Sequence, residues 1–221
     1  MKHGRKLVGC ALIMVAMMVA AAQAELVDRT IAVVNRHLIT WSDLDEQMRF
    51  EALENARPLK DLGPTDRHEV FEHIVQYRIL HDQMQGAPPA GDSEVDARIV
   101  ELRAGWHVES DNAKWVLILS RYGITADELR VLVKNQIEIL KFMEFRVRPM
   151  VRVTRQEVDN YYSLTLVPQV VAAGQTPEPV EEVTPKIREL LTEQKMNQEI
   201  EKWLQTLRAQ SSVQVIWDAV R

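Results

Sequence analysis

The stretch "DRTIAVVNRHLIT", residues 28–40, decides how this chain is read. Two short β-type runs flank Asn35-Arg36, a pair suited to a tight turn. A lone hairpin is marginal in water and requires a third strand or a packed partner. A partner strand is therefore expected elsewhere in the sequence.

Working outward from the hairpin, the chain is almost wholly helical in pattern. Thr40 caps a first helix with Asp43 at its third position, and Ile39 and Leu44 occupy the two places of a hydrophobic staple. The helix runs to about Asn55. Residues 57–64 form a loop between two prolines. Thr65 opens a second helix to about Gln85, which "GAPPAGD", residues 86–92, interrupts. A third begins at Ser93 and carries Val95, Ile99, Leu102 and Trp106 on one face. A fourth follows Ser110 and stops at Gly123, a left-handed cap. Thr125 and Glu128 make a full capping box for a long helix to Val147, and Pro149 closes it. Thr154 and Glu157 make another for a short helix to about Ser163.

Residues 164–183 contain Pro168, Pro177 and Pro179 with no helical period, and read as a linker or surface loop. Helix is expected to resume at Thr184 with Pro185 at its first position, where proline is favoured, and to continue to about Ala209. The chain then offers "SVQVIW", residues 212–217, in which Val213, Val215 and Trp217 alternate with Gln214 and Ile216. This is the strand that the hairpin lacks. The two chain ends are expected to pair. The fold class is then mainly α, a multi-helix core with a small β-sheet built from the N-terminal hairpin and the C-terminal strand.

The N-terminus reads as a secretory signal. Lys2, Arg5 and Lys6 precede the uncharged apolar run Leu7–Ala22, and Ala22-Gln23-Ala24 supplies the small-x-small cleavage pattern. The box around Cys10 lies at the start of the apolar run rather than after it, which argues against lipid attachment. Cleavage after Ala24 removes the chain's one cysteine, so the exported protein has no disulfide and is stabilised by packing. Setting aside the three basic residues of the leader, 24 basic residues face 32 acidic ones, a net charge of −8. That balance disfavours nucleic acid, whose binding relies on clustered Lys and Arg. No stable membrane insertion is expected after cleavage. The expected location is the periplasm, with residues 25–163 as a helical domain and residues 184–221 packing back on it.

Catalytic chemistry finds no support in the pattern. His68 and His73 are five residues apart and project roughly 140° from one another on a helix, so one metal ion cannot be gripped by both. There is no Gly-rich phosphate loop and no G-x-S-x-G. Asp92, Glu94 and Asp96 serve as N-terminal charge for the third helix. Neither catalytic residue, metal nor cofactor is expected. What stands out is apolar: Trp106, Trp115, Tyr122, Phe142, Met143, Phe145 and Met150, from the third to fifth helices, are the candidate residues for contact with a client peptide. Methionine among aromatics suits an adaptable binding surface.

Two segments carry a family resemblance. Val27-Asp28-Arg29, Ala32-Val33-Val34-Asn35, Ile39-Thr40, Asp43 and Asp45 are similar to the mature N-terminus of the SurA family of periplasmic chaperones. Ile187-Arg188, Leu191, Gln194-Lys195, Trp203-Leu204 and Leu207-Arg208, with the strand after them, resemble that family's closing helix and strand. The resemblance implies a chaperone core that binds extended segments of unfolded outer-membrane proteins. Family members usually carry parvulin prolyl-isomerase domains before the closing helix. Residues 164–183 leave no room for a folded domain, which needs at least ~50 residues. The expectation is thus an ATP-independent holdase without isomerase activity, as a monomer or a swapped dimer. The alternative is a non-catalytic envelope adaptor that uses the same scaffold for one specific partner.

Overall fold

The computed structural model describes residues 28–217; the proposed leader lies outside them. Strand β1 (Thr30–Val34) pairs antiparallel with β2 (His37–Thr40), with Val34 opposite His37 and Ala32 opposite Ile39. Asn35 takes the left-handed conformation that the tight turn demands, at φ 53°. Strand β3 (Val213–Val215) lies antiparallel on the other edge of β1, so the order is β2-β1-β3 and the chain ends meet as the pattern predicts. Asn35 fastens the junction twice. Its N–H donates to the Ser212 carbonyl at 2.7 Å, and its side-chain oxygen accepts from the Ser212 N–H at 3.0 Å.

Helix α1 (Trp41–Glu54) starts at the expected capping box: the Thr40 N–H donates to Asp43 at 2.8 Å and the Asp43 N–H to Thr40 Oγ1 at 3.2 Å. Helix α2 (Pro64–His81) begins one residue before the expected Thr65, because Pro64 takes the first helical position. It ends four residues before Gln85. Helices α3 (Asp92–Gly105) and α4 (Asn112–Arg121) follow, and Gly123 supplies the left-handed turn at φ 62°. Helix α5 (Ala126–Val147) and helix α6 (Arg155–Tyr161) both open on the full capping boxes read from sequence.

Residues 164–183 differ from expectation. A π turn (Tyr162–Leu166) continues α6 directly into helix α7 (Val167–Ala172), leaving residues 173–179 as the non-helical part. Pro168 follows that π turn, and the carbonyls of exposed Ser163 and Leu164, which lack its N–H as a partner, can meet water. The long helix α8 (Val180–Gln210) starts a turn earlier than Thr184, so Pro185 lies inside it. Pro185 and Glu181 are exposed, so the carbonyl that proline leaves unpaired can meet water, while buried Val183 anchors the added turn. The Tyr162 hydroxyl donates to the Glu178 carbonyl at 2.7 Å and pins the return.

Apolar burial falls into three clusters. Helices α1, α3, α4 and α5 enclose the largest, around Phe50, Leu53, Trp115, Leu129 and Val133. The sheet packs on α1 and α2 through Ile31, Val34, Ile39, Phe71 and Val75, with Leu207, Val213, Val215 and Trp217 covering it. Trp217 meets Trp41 edge to face at 4.8 Å. The third cluster joins α6 to the start of α8 through Val158, Val183 and Ile187. Helix α8, about 46 Å long at 1.5 Å per residue, thus ties the third cluster to the sheet.

The α6–α8 junction also holds a carboxylate far from its usual titration range. Glu157 accepts from Lys195 Nζ at 2.6 Å and from the Thr154 N–H at 2.8 Å, which lowers its pKa to about 2. A depressed carboxylate stabilises the fold above its unfolded pKa of about 4.3, and this contribution fades as pH falls towards about 2. Glu157→Gln is therefore expected to lessen the pH dependence of thermal stability between roughly pH 4.5 and 2. An unchanged profile would show that the ion pair does not tie α6 to α8.

Candidate functional site

The largest of the cavities described here, about 510 Å³, opens between α1, α2 and α5. Each helix presents one face to it at helical spacing: Asp43, Glu46, Phe50 and Glu54 from α1, Ile74 and Tyr77 from α2, and Leu132, Gln136 and Ile139 from α5. The floor is apolar and the rim is polar. Phe50 and Ile74 are buried; Tyr77, Leu132 and Ile139 are half-buried.

The rim is acidic and unevenly neutralised. Asp43 pairs with Arg78 at 3.2 Å. Glu54 accepts from Arg98 of α3 at 2.9 Å and from Gln136 of α5 at 3.2 Å, which joins three helices through one carboxylate. Glu51 accepts from Gln47 and lies 3.0 Å from His73 Nδ1. The hydrogen bond to Glu51 raises the His73 pKa, against the opposing effect of burial. Glu46 has no cationic partner among the described residues. Burial raises the Tyr77 hydroxyl.

Of the further grooves that border α8, two lie against α2 and the end of α5. One, of about 400 Å³, is lined by Val75 and Ile79 of α2 and by Ile200 and Leu204 of α8, with the Arg208–Glu72 pair across it at 3.2 Å. The other, of about 220 Å³, lies between the end of α5 and α8 beside Met150 and Trp203.

The aromatic residues singled out from sequence do not converge. Trp115, Tyr122 and Phe142 are 5%, 5% and 4% exposed and belong to the packed interior. The Tyr122 hydroxyl donates to the Arg57 carbonyl at 2.8 Å, and Trp106, half-buried, donates through Nε1 to the Leu53 carbonyl at 3.0 Å. Both polar handles are thus used inside the fold. Phe142 packs edge to face on Trp203 at 5.8 Å. Met143 is half-buried, whereas Phe145 and Met150 are 63% and 58% exposed near the end of α5. None of the seven lines the largest cavity. Its own residues escaped the sequence reading because they sit among charged neighbours on α1 and α2; the acidic spacing Asp43, Glu46, Glu51, Glu54 was the available signal.

No protein-family model matches the chain. Among curated proteins, it is 32% identical to the chaperone SurA of Cupriavidus metallidurans over 171 residues, 70% of this chain and 31% of that protein. It is 29% identical to the chaperone SurA of Chromobacterium violaceum over 139 residues, 61% of this chain and 32% of that protein. The corresponding figures for the chaperone SurA of Alcanivorax borkumensis are 26% over 149 residues, 66% and 34%. The chain is SurA-like. It spans about a third of the length of the SurA proteins it matches.

The segments that carried the SurA resemblance are the ones the fold unites. The first holds β1, β2 and the start of α1; the second holds α8 and β3. Among the described residues, no helix is long and apolar enough to cross a membrane.

Proposed function

We propose that this chain is an ATP-independent holdase of the periplasm, reaching it by the N-terminal signal and binding unfolded exported polypeptides without prolyl-isomerase activity. One observation carries the reading: three helices hold open a cleft with an apolar floor and a polar rim, and their own packing does not fill it. A site of this kind covers aliphatic and aromatic side chains of an extended client, and lowers the concentration of aggregation-competent chain. The similarity to SurA chaperones supports the same reading. Between α6 and α8 the chain forms only a π turn, a short helix and a short loop, which supports action by binding. Residues 25–163 then act as the client-binding body, with residues 184–221 as the strut that packs back on it. Outer-membrane protein precursors are the proposed clients.

Dilution of a urea-unfolded outer-membrane β-barrel protein into buffer tests this directly. Light scattering is expected to fall sharply at near-stoichiometric amounts of the protein, with no nucleotide added. Tyr77→Ala with Ile139→Ala, which removes half-buried apolar surface from the cleft, is expected to weaken that suppression severalfold. Undiminished aggregation beside a chain with native helical circular dichroism would refute the holdase reading.

A further inference from the structure

The charge of the largest cleft is out of balance with what its apolar floor alone would require. Four carboxylates, those of Asp43, Glu46, Glu51 and Glu54, line it. Arg78 neutralises Asp43, and Arg98 neutralises Glu54. Glu51 meets an imidazole and an amide, and Glu46 meets no cation among the described residues. Glu46 therefore brings an uncompensated negative charge to the cleft, and Glu51 a second carboxylate whose partners are His73 and Gln47, beside the apolar side chains of Phe50, Ile74 and Ile139. In a partly enclosed site such charges act in a lower effective dielectric than at open surface, and field lines concentrate within the cleft.

We propose that this cleft selects polypeptide segments in which Lys or Arg lies next to aliphatic or aromatic residues. This rests on the polypeptide-binding reading given above and adds the substrate class. The apolar side chain fills the floor, while the neighbouring ammonium or guanidinium reaches the carboxylate of Glu46 and the Glu51 oxygen that His73 and Gln47 leave unused. The aliphatic stem of Lys or Arg lies along the cleft wall while its charged end remains at the rim. An acidic segment meets like charge and is rejected.

Fluorescence anisotropy with three labelled peptides tests the inference on the full chain. The peptides share one Phe- and Leu-rich frame and carry Lys, Ser or Glu at the same two positions. At low salt the Lys peptide is expected to bind about tenfold more tightly than the Glu peptide, with the Ser peptide between them. Raising the salt to about 0.3 M narrows the gap, since exposed charges are screened. The double substitution Glu46→Gln with Glu51→Gln is expected to reduce the Lys-to-Glu ratio to within about twofold. Equal binding of all three peptides overturns the selectivity and leaves polypeptide binding standing. A Lys preference that survives the double substitution overturns its assignment to this cleft. Binding of none of them, by a chain with native helical circular dichroism, overturns both the inference and the reading on which it rests.

Discussion

Removal of residues 211–221 is expected to lower the melting temperature by about 10 °C and to broaden the transition. The truncation takes away β3 and with it the second edge of β1. Asn35 loses both of its bonds to Ser212, and the Ile31 carbonyl loses the N–H groups of Ile216 and Trp217. Val213, Val215 and Trp217 also leave the apolar cluster beneath the sheet. Each is half-buried, and burial contributes about 1 kcal/mol for a side chain covered to that degree. The remaining hairpin is then a two-stranded ribbon of the kind that does not stand alone, and α8 loses its fastening at the sheet end. Differential scanning calorimetry of the truncated chain decides the matter. A melt equal to that of the full chain would mean that β3 is an ornament on a self-sufficient helical body.

Phe50→Ala is the second large effect, at about 3–5 kcal/mol of lost stability. Phe50 is buried between α1 and the largest apolar cluster, and also forms part of the floor of the cleft. Truncation opens a void beneath the cleft, so the client binding proposed for it is expected to fall together with the urea midpoint. Phe145→Ala supplies the contrast. Although Phe145 is equally aromatic, it is exposed on α5, and its loss is expected to change stability by no more than about 0.5 kcal/mol. Urea titration of the two variants side by side measures the difference. If Phe145→Ala proved as costly as Phe50→Ala, the orientation of the second half of α5 would have to be redrawn.

The features read correctly from sequence are those whose causes lie within a few residues. Thr40 with Asp43, Thr125 with Glu128, and Thr154 with Glu157 start their helices because each pair satisfies donors that the same turn leaves unpaired. The pairing of the chain ends was legible for a different reason: an exposed strand edge needs a partner, and the sequence contained one further strand. Residues 164–183 were read as a linker because Pro168, Pro177 and Pro179 were weighed as helix breakers, while Pro185 was expected at a helix start. Pro177 and Pro179 do lie in the non-helical stretch 173–179, whereas Pro168 follows the π turn within a continuous helical run, and Pro185 lies a turn inside α8 on an exposed face.

The amino-acid sequence by itself determined the helical body, the capped starts, the three strands and the closure of one chain end upon the other. Only the tertiary structure decided which apolar side chains stay exposed and which pack against one another. Trp115, Tyr122 and Phe142 are as aromatic as any ligand-contacting residue, yet neighbours remote in sequence bury them. The cleft has the opposite origin. Its walls come from α1, α2 and α5, and its charge from which carboxylates of α1 meet Arg78 and Arg98 and which, like Glu46, meet no cation among the described residues. Local pattern dictates what a turn of helix can satisfy within itself; exposure and charge balance are properties of the surfaces that packing leaves uncovered.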